Sequence, residues 1–148
     1  MPSRLGAILG EQQAVIALLL ARARAASGEL SAIRSLARVV YAHIAVIEFV
    51  VLPVIASDSA GAKVDGLAKA VAAQTAQLVT HQPAALESLD LLGTTLGLFF
   101  ASEAELLGAM LHDGAEVDAD LLNRAEDAFL TYVAGPDRSG TSEVADTP

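Results

Sequence analysis

Apolar residues recur along the chain at three- and four-residue spacing, the period of a helix with one buried face. In the first stretch Leu5, Ile8, Leu9, Gln12, Val15, Ile16, Leu19 and Leu20 keep this rhythm and predict a helix over about 3–26. Ser27-Gly28 ends it, glycine supplying the left-handed cap. A second, more uniformly apolar stretch predicts a helix over about 30–55, with Pro53 near its end. Ser57-Asp58-Ser59-Ala60-Gly61 reads as a turn. A third helix is expected from Ala62 at least to Thr80, after which Pro83 either kinks it or sits in the first turn of a new helix. Gly93-Thr94-Thr95 is a weak point ahead of an apolar helix over about 96–111, closed by His112-Asp113-Gly114. A last short helix over about 118–133 places Leu121, Leu122, Ala125, Phe129 and Tyr132 on one side.

Little β-branched alternation interrupts this pattern, so the fold class is all-α. Four long helices joined by short loops predict an antiparallel up-down four-helix bundle with a short C-terminal fifth helix. The expected domain is 1–134, and the polar stretch 135–148 reads as a disordered acidic tail.

Composition narrows the chemistry. The chain has 148 residues, enough for one core, with 53% apolar and 18% charged residues and no cysteine. Thiol catalysis, disulfide frameworks and cysteine-held metal clusters are thereby excluded. The net charge of −9 suits a phosphate backbone poorly, so nucleic acid is not an expected partner. Acidity is uneven: residues 1–56 carry five arginines against three glutamates, a balance of +2, and residues 57–148 carry four basic groups against fifteen acids, a balance of −11. No glycine-rich phosphate loop, dinucleotide fingerprint or nucleophile elbow occurs. The longest apolar stretch, Val39 to Ala56, is interrupted by His43 and Glu48, short of the roughly 18 uninterrupted apolar residues of a spanning helix. The N-terminus does not follow the basic, apolar, small-residue order of a signal peptide. The expectation is a cytoplasmic protein with no membrane span, its surplus apolar surface used in a homo-oligomer.

The second and fourth helices are the most apolar, yet each carries ionisable groups in its middle: His43 and Glu48 in one, Glu103 and Glu105 in the other. Burying a charge costs several kcal/mol unless it is paired, hydrogen-bonded or metal-bound. Five residues turn a helix by about 140°, so Glu48 points away from His43 while Ile47 shares its face. Two residues turn it by about 200°, so Glu103 and Glu105 cannot both face inward. Glu103 shares the Phe99 face and is the one expected inside.

Taken together, the run from His43 through Ile47-Glu48 to Leu52-Pro53, the segment Phe99-Phe100-Ala101-Ser102-Glu103, and Glu11-Gln12-Gln13 ahead of an amphipathic run resemble the hemerythrin-like (HHE, cation-binding) family over roughly residues 5–112. The resemblance implies a four-helix bundle that holds two irons through inward histidines and carboxylates, two of its helices each bearing a His-x-x-x-Glu pair. Measured against that pattern, the chain has Gln12 in place of the first-helix histidine, Ile47 in place of the carboxylate four residues after His43, and Phe99 in place of the fourth-helix histidine. On the third helix the ligand position falls on Gln74 or Gln77, with His81 further on. Only His43 and Glu103 match residue for residue, too few for a bridged di-iron pair.

Three readings follow. In the first, the protein has lost the di-iron site, and its core, lined by Gln12, Ile47, Gln77 and Phe99, binds a small apolar molecule or a protein partner. In the second, His43 and Glu103 are catalytic, moving a proton in the isomerisation, cyclisation or dehydration of a hydrophobic metabolite. In the third, iron or another divalent metal sits at a residual site of His43, His81 and Glu103. The first is preferred, with no cofactor expected, because ligand positions were lost to the apolar groups Ile47 and Phe99.

Overall fold

The computed structural model describes residues 4–54, 59–112 and 119–146. Every regular element among them is helical. Helix α1 spans Arg4–Ala25, α2 Leu30–Ala45, α3 Ser59–Thr80, α4 Leu86–His112 and α5 Ala119–Asp146. Each turns one stripe inward, as the spacing requires: Leu5, Leu9, Gln12, Ile16 and Ala23 on α1, and Val64, Ala68, Val71, Thr75 and Leu78 on α3. The second half of α2 differs, because Val39, Val40 and the whole run from Ala42 to Ile47 are buried. It is the central helix, packed against α1, α3 and α5, while α4 packs against α3 and α1. One continuous core results, including Leu36, Ile47, Leu92, Phe99 and Leu106.

The turn between α1 and α2 is tied down by backbone chemistry. Gly28 N–H donates to Ala23 O at 2.9 Å and Ser27 N–H to Arg24 O at 3.1 Å, which together satisfy two of the last carbonyls of α1. Both residues have positive φ, 54° at Ser27 and 74° at Gly28, so the left-handed cap involves the serine as well as the expected glycine. Gly28 O also accepts from Ala84 N–H at 3.2 Å, and a Cβ at Gly28 would collide with the Ala84 backbone. The turn at one end of α1 is thereby stitched to the loop between α3 and α4. Arg24 and Asp90 form an ion pair across α1 and α4 beside it.

Four boundaries differ from those the sequence predicts. The second helix does not continue as α-helix to residue 55: from Val46 to Val51 it widens into a π-helical turn, with Leu52 N–H donating to Ile47 O, and then tightens into a 3₁₀ turn over Leu52–Val54. Helix α3 begins at Ser59, taking in part of the cluster read as a turn; Ile55 to Asp58 lie outside the described residues. Helix α4 begins at Leu86 rather than near Leu96, so Pro83 precedes it, and Gly93-Thr94-Thr95 is fully helical. The threonine hydroxyls fold back onto their own helix, Thr94 Oγ1 to Asp90 O at 3.2 Å and Thr95 Oγ1 to Leu91 O at 3.0 Å, which removes their competition with the backbone. Finally, α5 runs from Ala119 to Asp146, past the end expected near residue 133. The turn expected at Asp113-Gly114 lies outside the described residues.

Apolar surface remains outside the core. Leu18 on α1, Leu91 and Leu98 on α4, and Leu130 on α5 are each more than half exposed. By length and composition alone, Arg4–Ala25, Leu30–Val51 and Leu86–Ala109 are each apolar enough to cross a membrane.

Candidate functional site

The interior is not wholly apolar. Where α1, α2 and α4 converge, four polar side chains form one hydrogen-bonded chain. His43 of α2 is fully buried and Glu103 of α4 is 1% exposed, and His43 Nε2 lies 2.8 Å from Glu103 Oε2. On the other side of the ring, His43 Nδ1 lies 2.7 Å from Oε1 of Gln12, a residue 5% exposed on α1. The second oxygen of Glu103 accepts from Gln13 Nε2 at 2.9 Å. Phe99 and Phe100 present edge-on contacts to the imidazole, both with centroids 5.8 Å away. Ile47 is fully buried in the π-helical turn just beyond His43.

With Gln12 Oε1 as acceptor, His43 Nδ1 carries a hydrogen and donates it. The 2.8 Å contact between Nε2 and Glu103 Oε2 then requires one further proton between the two groups. It rests on the imidazole, giving an ion pair, or on the carboxyl, giving a neutral pair; the sum of charges is zero in both cases. An apolar, aromatic-walled setting tolerates such a pair because no net charge is buried and its lone pairs and N–H groups are used.

The predicted site residues divide into two groups. Gln12, His43 and Glu103 come together, with Phe99 against the ring. Gln77 and His81 do not join them. Both are exposed: Gln77 lies two residues, about 200°, beyond the buried Thr75 of α3, and His81 follows the end of that helix. His81 Nδ1 donates to Gln77 O at 3.2 Å, one turn back, and both side chains line a surface groove of about 260 Å³ between α3 and α4. Gln77 thus stands outside the core, and His81 stands apart from His43 and Glu103. Gln74, the other third-helix candidate, is half-buried, and its Oε1 is shielded from solvent with no hydrogen-bond partner among the described residues. Glu48 is half-buried and faces α3, where it adds to the effect of the Asp65 hydrogen bond and charge in raising the pKa of Lys69 above 10.5.

The donor set does not fit the di-iron pair that the resemblance implies. Both nitrogens of His43 and both oxygens of Glu103 are occupied by protein partners, and Ile47 and Phe99 fill the adjoining positions with hydrocarbon. Among the described residues no three His, Cys, Asp or Glu side chains converge as metal ligands.

The polar chain ends at half-buried Gln13 on one side and at Gln12, beside a surface cleft, on the other. Gln12 forms part of the floor of a cleft of about 210 Å³ between α1 and α5, walled by Ile8, Val15, Phe129 and Leu130. Glu11 and Glu126 stand beside it. Sequence reasoning missed the cleft because it is made by two helices far apart in the chain. It also passed over Gln13, whose only signal was its place beside Gln12 next to a helix face bearing apolar residues. No family model, curated protein or solved structure matches the chain.

Proposed function

We propose that the chain is a hemerythrin-like protein, an antiparallel up-down four-helix bundle of α1 to α4, in which a metal-free hydrogen-bonded core has replaced the di-iron centre and a small apolar molecule is bound in the cleft between α1 and α5. The packing order supports the bundle: α1 on α2, α2 on α3, α3 on α4 and α4 back on α1, with α5 laid against α1 and α2. The observation that carries the ligand reading is Gln12. Its side chain touches the cleft on one side and accepts from the His43 ring on the other, so an occupant of the cleft bears on the shared proton of His43 and Glu103. The protein then acts as a binding module whose buried pair reports occupancy. It works in the cytoplasm as a homo-oligomer that covers the exposed leucines of α1 and α4.

Catalysis by proton transfer is the second reading. It draws on the same shared proton, but both nitrogens of His43 are engaged by protein groups, so a substrate meets Gln12 before the imidazole. Titration with cyclohexanol, followed by NMR, tests the preferred reading. Expected are shifts of the methyl signals of Ile8, Val15 and Leu130 together with the ring nitrogens of His43. Gln12→Leu should leave the methyl shifts and uncouple the histidine. Absence of methyl shifts overturns the ligand reading. Two tightly bound irons per chain after anaerobic loading overturn the metal-free core.

A further inference from the structure

The cleft between α1 and α5 has walls of one kind and a rim of another. Ile8, Val15, Phe129 and Leu130 offer hydrocarbon only, while the charged groups that line it, Glu11 and Glu126, are both acidic and both exposed. Neither carboxylate has an ion-pair partner among the described residues, in contrast to Glu105, Asp65, Asp90 and Asp120, which are paired with Lys63, Lys69, Arg24 and Arg124. The nearest polar group inside, Gln12, is already committed through Oε1 to His43. The opening therefore carries two acidic groups beside apolar walls, in a chain of net charge −9.

Resting on the reading of the cleft as a ligand site, we propose that its occupant is a small hydrophobic amine, a cyclic or branched hydrocarbon bearing one ammonium group. The hydrocarbon fills the space between Val15 and Phe129 and is removed from water there. The ammonium stays at the mouth, solvated on one side and attracted by the two carboxylates on the other, so it is never fully desolvated. An anion of the same shape meets two like charges and is rejected. A second carboxylate at the rim adds attraction without adding burial, which suits a ligand that binds and leaves quickly.

Three probes with one ring isolate the charge: cyclohexylamine, cyclohexanol and cyclohexanecarboxylate, each titrated into the full chain by NMR on the Ile8 and Val15 methyls. At 20 mM salt the amine should bind roughly three- to tenfold more tightly than the alcohol, the gain typical of two exposed charge contacts. The carboxylate should bind more weakly than either. Raising salt to about 0.5 M should remove most of the amine's advantage. The double variant Glu11→Gln, Glu126→Gln should bring the amine to the affinity of the alcohol and leave the alcohol unchanged. Equal affinity of amine and alcohol in the unaltered protein overturns the amine assignment while the ligand reading stands. Binding by none of the three overturns both.

Discussion

Glu103 and Glu105 are the same residue type, two positions apart on one helix, and they live in different media. Glu103 is 1% exposed, with His43 and Gln13 holding its two oxygens. The side chain of Glu105 is 61% exposed and pairs with Lys63 at 3.0 Å across α3 and α4. The two contacts look alike on distance, 2.8 Å and 3.0 Å, yet their consequences for stability are expected to differ by an order of magnitude. In water each member of the surface pair retains its hydration when the other leaves. In the core, losing one member strands the other where no solvent can replace it.

The largest effect should come from stranding the histidine. Glu103→Ala is expected to destabilise the protein by about 3–5 kcal/mol, read by urea denaturation. If the cost reflects an unpaired partner rather than intrinsic strength of the pair, the double variant His43→Leu, Glu103→Leu should be markedly more stable than Glu103→Ala. A double variant as unstable as the single one would break that account. A smaller effect of opposite sign is expected on α3. Gln74→Leu removes an acceptor that is buried without a partner and should raise stability by about 1 kcal/mol, or Tm by about 2–4 °C. Loss of stability there would mean that the oxygen is satisfied in solution. Last, Glu105→Ala should change stability by no more than about 0.5 kcal/mol, and less at high salt. A loss above 1 kcal/mol would erase the contrast between the two glutamates.

Much of this was readable from spacing. The inward faces of α1 and α2, the burial of Ile47 and Phe99, and the choice of Glu103 over Glu105 all follow from about 100° of rotation per residue within one helix. Relations between helices were not readable. Gln77 and Gln74 were alternatives on α3 because the sequence does not say which stripe of that helix turns inward, and the cleft needs α5 laid beside α1. Helix starts were misread where local chemistry outweighed composition: Thr94 and Thr95 looked like breakers until their hydroxyls found carbonyls of the preceding turn. The polar end of α5 carried no periodic apolar signal from which a helix could be inferred.

The π-helical turn over Val46–Val51 also has a consequence for counting along the helix. A turn that closes on the fifth residue rather than the fourth accommodates one more residue than the plain helix around it. The extra residue falls three to eight positions after His43, in the segment that holds Ile47 and Glu48. Deleting Ile47 would restore a single register and carry a carboxylate to the fourth position after the histidine, so one codon separates the present oily core from a core with an additional anionic side chain on the histidine's face.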